Sequence, residues 1–161
     1  MAIIYAKEIA AELHEDWRKT RLTSDGIYEP RWKKIKDEEF IKNLPENLPE
    51  YIRVNEGVYE IDIANCSYNM LSADWQAENK AAGEVVAKIL KMQRIGAKLT
   101  IEEIGSFIHN EWLKRNEWAK GGELDVPFTE LSKEEQDKDL NQYYIGVSKA
   151  AELKKESEKE D

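Results

Sequence analysis

Two stretches, "EIAAELHEDWRK" (Glu8 to Lys19) and "EIGSFIHNEWLK" (Glu103 to Lys114), decide how this chain is read. Both are amphipathic at helical spacing, and each carries one of the two histidines three residues before a tryptophan, 95 positions apart. Aligned, they pair Glu8 with Glu103, Ile9 with Ile104, Leu13 with Ile108, His14 with His109, Trp17 with Trp112 and Lys19 with Lys114. A second echo follows each helix: "LSADWQAEN" (Leu71 to Asn79) and "LSKEEQDKD" (Leu131 to Asp139) both read Leu-Ser, a Gln five after the Leu, and an Asn or Asp three further on. The pattern predicts a duplicated unit of helix, loop with an extended segment, and capped helix, whose copies pack about a pseudo-two-fold axis.

Working outward, the first helix is expected over about Ile3 to Arg21, with Ile9, Leu13 and Trp17 on its buried face. Asp25-Gly26 and Pro30 open a turn-rich stretch that closes in a short helix around Asp37 to Asn43. The two prolines of "LPENLPE" forbid a regular element there, and Asn55-Glu56-Gly57 between two β-rich runs predicts a hairpin. Ser72 is the expected N-cap of a long helix that ends near Gly96 and carries Trp75, Ala82, Val86 and Ile89 on one face. Thr100 to Glu103 and Ser132 to Glu135 read as capping boxes, the second opening a last helix to about Lys155. "NEWAKGGELDVPF" between them reads as a glycine loop and a short extended segment. The expected class is mainly α (α+β). Residues 1–97 form the first repeat, holding a basic loop and the hairpin, 98–152 the second, and 153–161 a frayed charged tail.

At 161 residues and 41% hydrophobic, with five Trp and seven Tyr, the chain can bury a core. It has no apolar run of membrane-spanning length and no secretory leader, so no membrane is an expected partner. The lone Cys66 fits a reducing cytoplasm and reads as a small buried residue rather than a thiolate. A net charge of -9 argues against duplex nucleic acid, which is gripped by many cations, but permits a small anion at a local basic cluster. Two distant histidines do not make a metal site, no cofactor fingerprint is present, and nothing selects a catalytic carboxylate pair. His14 and His109 therefore read as half-buried anchors, each bonded to the backbone of the opposite repeat and stacked on its own tryptophan.

The second half, "IHNEW…LDVPFTELSKEEQDKDLN", resembles the RyR repeat domain, the module of ryanodine receptors that also stands alone in bacteria and phages. His109, Trp112, Val126, Pro127, Phe128, Glu130, Leu131, Asp139 and Asn141 occupy that pattern over about 45 residues. In the first half His14, Trp17 and Arg18 match the helix, and "DGIYEPRWKK" is similar to the family's Gly-x-x-Tyr-x-Pro-Arg-x-x-Lys loop, while "IDIANCSYNML" replaces the Val-Pro-Tyr segment. The resemblance implies a non-enzymatic module, found beside nucleotide-signal and phage-defence systems and suspected of recognising nucleotide-derived ligands.

One segment is specific to the first half. Trp32 lies between Arg31 and Lys33-Lys34, the aromatic-plus-cation arrangement that stacks a base and clamps its phosphate. The expected ligand-binding set is Trp17, Arg18, Tyr28, Arg31, Trp32, Lys33, Lys34, Arg53, Asn65, His109, Trp112 and Arg115. Asn65 supplies a paired donor and acceptor for a base edge, and Arg115 repeats the cation-aromatic pairing beside Trp118. A nucleotide-type ligand is expected, on a homo-oligomer whose second subunit completes the site, with sequestration of a signalling nucleotide in the host cytoplasm as the use in a virus. The competing expectation is a protein-interaction module whose aromatic loops contact another polypeptide.

Overall fold

The computed structural model describes residues 5–159; the expected start of the first helix at Ile3 and the tail's last two residues lie outside them. The chain is mainly helical with one small antiparallel sheet, as its periodicity predicts. In order, the elements are α1 (Ala6–Lys19), β1 (Trp32–Lys34), α2 (Glu38–Lys42), β2 (Ile52–Asn55), β3 (Val58–Asp62), α3 (Ala73–Arg94), α4 (Ile101–Arg115) and α5 (Lys133–Lys159). Contacts divide them into two compact units, Leu13–Lys80 and Met1–Glu12 with Ala81–Asp161.

In Leu13–Lys80, the hairpin turns through Glu56 and Gly57, both at positive φ (51° and 81°), the twist that a two-residue turn requires. The sheet order is β1-β3-β2, so a third strand joins the expected pair: Trp32, Lys33 and Lys34 lie opposite Asp62, Ile61 and Glu60. Strand alternation then separates two faces. Trp32, Lys34, Arg53, Glu60 and Asp62 share one, while Lys33, Ile52 and Ile61 share the other, where both isoleucines are buried. Asp37 caps α2 by accepting the Phe40 N–H (3.2 Å), and its second oxygen accepts the Ala73 N–H at the start of α3 (3.2 Å). Ser72 precedes α3 as expected, but its buried Oγ has no hydrogen-bond partner, so the cap is positional and Asp37 supplies the acceptor.

In the other unit, Ile89, Ile104 and Ile108 form a core with Val85, Met92, Leu99, Phe107, Leu140 and Tyr143 packed around it. Glycine allows the closest approaches: a Cβ on Gly105 would collide with the Phe128 ring, and one on Gly146 with Val86. Gly96 ends α3 at φ 109°. The box at α4 is complete, with the Glu103 N–H donating to Thr100 and the Thr100 N–H to Glu103, both at 3.1 Å. At α5 Ser132 accepts the Glu135 N–H (3.2 Å) while the Glu135 carboxylate pairs with Lys138 (3.1 Å). The expected extended segment after the glycine loop is irregular chain leading into a 3-10 turn at Phe128–Glu130, and α5 continues past Lys155 to Lys159.

Candidate functional site

The two histidines are placed alike. His14 Nε2 donates to the Cys66 carbonyl at 2.8 Å, and the ring stacks on Trp17 with centroids 5.8 Å apart. His109 Nε2 donates to the carbonyls of Leu124 (3.0 Å) and Val126 (2.9 Å), and its ring stacks on Trp112 at 6.1 Å. Carbonyls only accept, so Nε2 carries the hydrogen in both. Each histidine anchors the loop of its own half, which corrects the expected bond to the opposite one. His14 meets the chain just after β3, 52 residues on, and His109 the loop 15 to 17 residues on, while i, i+3 spacing places each tryptophan against its ring. Downstream the likeness continues. The Gln76 amide donates to Tyr68 O (2.9 Å) and the Gln136 amide to Phe128 O (3.0 Å), each locking a 3-10 turn.

In Leu13–Lys80 several expected site residues converge on Asp62, which is buried. Its carboxylate accepts the Arg31 N–H (2.9 Å), the Ala64 N–H (3.2 Å) and the Asn65 amide (2.7 Å). The Asn65 amide also donates to Tyr28 O (3.2 Å), so it braces the loop instead of presenting a free edge. Arg18 lies over the Tyr28 ring at 4.4 Å, donates to Ala64 O (2.8 Å) and pairs with Glu15. Arg53 lies over the half-buried Trp32 ring at 4.2 Å and pairs with Glu60 at 2.8 Å. Lys34 shares that face, whereas Lys33 points to the other, its Nζ 5.6 Å from the Trp75 ring. The indole of Trp75 donates to Lys34 O (2.7 Å) and ties α3 to β1. Trp17, next to Arg18 in the chain, stacks on His14.

In the other unit, His109 and Trp112 line a cavity of about 340 Å³ with Leu124, Leu131, Glu135, Lys138, Asp139 and Gln142. Arg115 does not reach it; that side chain lines a separate hollow with Glu84, Lys88 and Glu111. His109 Nδ1 faces Asp139 Oδ2 at 3.6 Å. Burial pushes the Asp139 carboxyl up to about 6, against the opposing pull of His109. Asp139 was legible as the position three after Gln136, but its role as a cavity carboxylate comes from the packing of α4 on α5. Trp118, 75% exposed, meets Trp112 edge-on at 5.6 Å.

Burial lowers the His14 pKa, and the ring is neutral near pH 7. The Cys66 thiol donates to Asp62 O at 3.3 Å, and burial raises its pKa to about 12, so it is no nucleophile at neutral pH. Among the described residues no three His, Cys, Asp or Glu side chains are grouped to hold a metal, and no helix is long and apolar enough to cross a membrane. Comparison of the chain with protein-family models, with curated proteins and with solved structures finds no match. The functional reading rests on the geometry and on the resemblance of the motifs.

Proposed function

We propose that this chain is a non-enzymatic binding protein, built of two RyR-like repeats, that captures a small nucleotide-derived anion in the cytoplasm. The observation that carries the reading is the sheet face on which Trp32, Lys34 and Arg53 stand together, beside Arg18 and Tyr28 on the segment braced by Asp62. A base stacks on an aromatic and a phosphate exchanges with Glu60 for Arg53, whose planar guanidinium holds two phosphate oxygens at once. The equal anchoring of His14 and His109 supports a repeat, since a duplicated fold keeps the bonds that hold its loop. A nucleotide signal held this way is removed from its receptor without being consumed.

Thermal-shift screening with cyclic dinucleotides, cyclic oligonucleotides and ADP-ribose derivatives tests it. A ligand at a hundred times its Kd adds about 2.7 kcal/mol to stability, a rise of roughly 5–10 °C for a chain of this size. Reversing Lys34 and Arg53 to glutamate should abolish the shift; no shift across the panel sinks the proposal. The exposed Trp118 favours a second reading, a protein-interaction module. Under it the same charge reversals leave partner binding intact and Trp118→Ala removes it.

A further inference from the structure

The cavity beside His109 has a chemistry unlike that of the sheet face. Its aromatic wall is Trp112, its apolar walls are Leu124 and Leu131, and its acidic groups are Asp139 and Glu135. The one lysine there, Lys138, has its Nζ on Glu135 at 3.1 Å. The side chain of Asp139 is only 14% exposed, and the group facing it within ion-pair range is a histidine whose other nitrogen is committed to two carbonyls. Where α5 places Asp139, the corresponding position of the first half holds the uncharged Asn79.

A largely buried carboxylate in a half-closed hollow is costly unless a cation meets it. With Nε2–H of His109 fixed on Leu124 and Val126 and its Nδ1 3.6 Å from Asp139, charge balance is reached in one of two ways: the Asp139 carboxyl takes up a proton, or a cation enters the cavity. The Trp112 face attracts a cation through its ring quadrupole, and a volume of about 340 Å³ admits an amine carried on one ring.

We propose that the cavity lined by His109, Trp112, Glu135 and Asp139 is a binding site for a small organic cation, an ammonium on a flat apolar body. The ammonium N–H groups donate to Asp139, and the body packs on Trp112 and Leu131. The titratable groups facing Asp139 are Glu135 and Lys138 from α5 and His109 from α4; the loop contributes only Leu124 and Leu131. Affinity therefore falls as pH drops through about 6, where the Asp139 carboxyl takes up its proton. This site is independent of the nucleotide reading, and either can fail alone.

The test uses three probes with one body and three charges: phenethylamine, 2-phenylethanol and phenylacetate, titrated calorimetrically into the full chain at pH 7.5. The amine should bind about tenfold or more tightly than the alcohol, the gain of a charge-assisted bond, and phenylacetate should not bind. Repeating the titration at pH 5 should weaken the amine and leave the alcohol unchanged, because the Asp139 carboxyl is then protonated. Asp139→Asn should bring the amine down to the level of the alcohol. Equal binding of amine and alcohol to the wild-type chain overturns the proposal without recourse to a variant. An unchanged amine affinity in a folded Asp139→Asn chain does so as well.

Discussion

His14 and His109 do the same structural task with different completeness, and the difference separates scaffold from function. Both stack on a tryptophan one turn on, and both donate Nε2–H to backbone carbonyls of their own half. His14 gives Nε2–H to Cys66, has the Ile63 backbone against its ring, and is driven towards the neutral form by burial. His109 shares its Nε2–H between two carbonyls and has a carboxylate at its second nitrogen. What the halves share is a clamp on a 3-10 turn; what they do not share is charge. The first half displays cations on a sheet that the second lacks, and the second buries an anion where the first has an amide.

The largest expected effect comes from cutting the clamp. His14→Ala leaves the Cys66 carbonyl without its donor and opens a void beside Trp17, costing about 2–4 kcal/mol. His109→Ala orphans two carbonyls and removes the partner of Asp139, so it should cost roughly 1–2 kcal/mol more. Urea unfolding of the two variants measures the gap. If His14→Ala is the more damaging, the double bond to Leu124 and Val126 is not what secures the second loop.

Next in size is the charge difference itself, tested by Asp139→Asn, which copies Asn79 into the second half. The Asp139 carboxyl titrates near 6 in the fold against 3.8 for the free side chain, so the folded state holds its proton more tightly than the unfolded one. That contribution to stability is complete below about pH 3.8 and is lost as pH rises through 6. The variant has no such loss. Relative to wild type it should therefore gain stability between pH 4 and pH 7, by on the order of 1–3 kcal/mol. Denaturation curves at the two pH values check this, and a gap that does not change with pH refutes it. A chain made more stable by losing a carboxylate is one in which the carboxylate serves something other than folding.

Most of the helical framework was legible because its signals are local. The capping box at Thr100 and Glu103, the stop at Gly96, and the apolar steps Ile9–Leu13 and Val86–Ile89 each depend on residues within a turn or two. The hairpin was legible for the same reason, through Gly57. β1 was not: "WKK" has no apolar alternation of its own and becomes a strand only because β3 offers it an edge, so Trp32 read as a loop aromatic. The stacking of each histidine on its tryptophan follows from i, i+3 spacing, but both rings are buried rather than half-buried, and the segment each meets depends on tertiary packing, which spacing does not encode. The site was legible only as residue types. That alternation sends Lys33 and Lys34 to opposite faces follows from β1, and that Asp139 rather than any neighbouring acid of "KEEQDKD" meets His109 follows from how α4 packs on α5.

The smallest expected effect belongs to the first half's distinguishing feature. Arg53 lies 4.2 Å over Trp32, but the guanidinium is exposed at the edge of a three-stranded sheet and its partner Glu60 is reachable by water. Cation–aromatic and surface ion pairs of this kind contribute about 0.5–1 kcal/mol each, and they are coupled because one guanidinium serves both. Arg53→Met keeps an apolar cover on Trp32 while removing the charge, so the fold should lose less than about 1 kcal/mol in urea. Any anion held on this face should lose far more, because a phosphate bound by arginine depends on the charge and the fork that methionine lacks. His109→Ala sets the opposite extreme, with a large cost to the fold and no direct effect on this face. A variant that is structurally mild and functionally severe marks the sheet face as a surface for binding. Arg53→Met destabilising the chain as much as His14→Ala does would instead make the Trp32–Arg53 pair part of the scaffold, and would return the difference between the halves to packing alone.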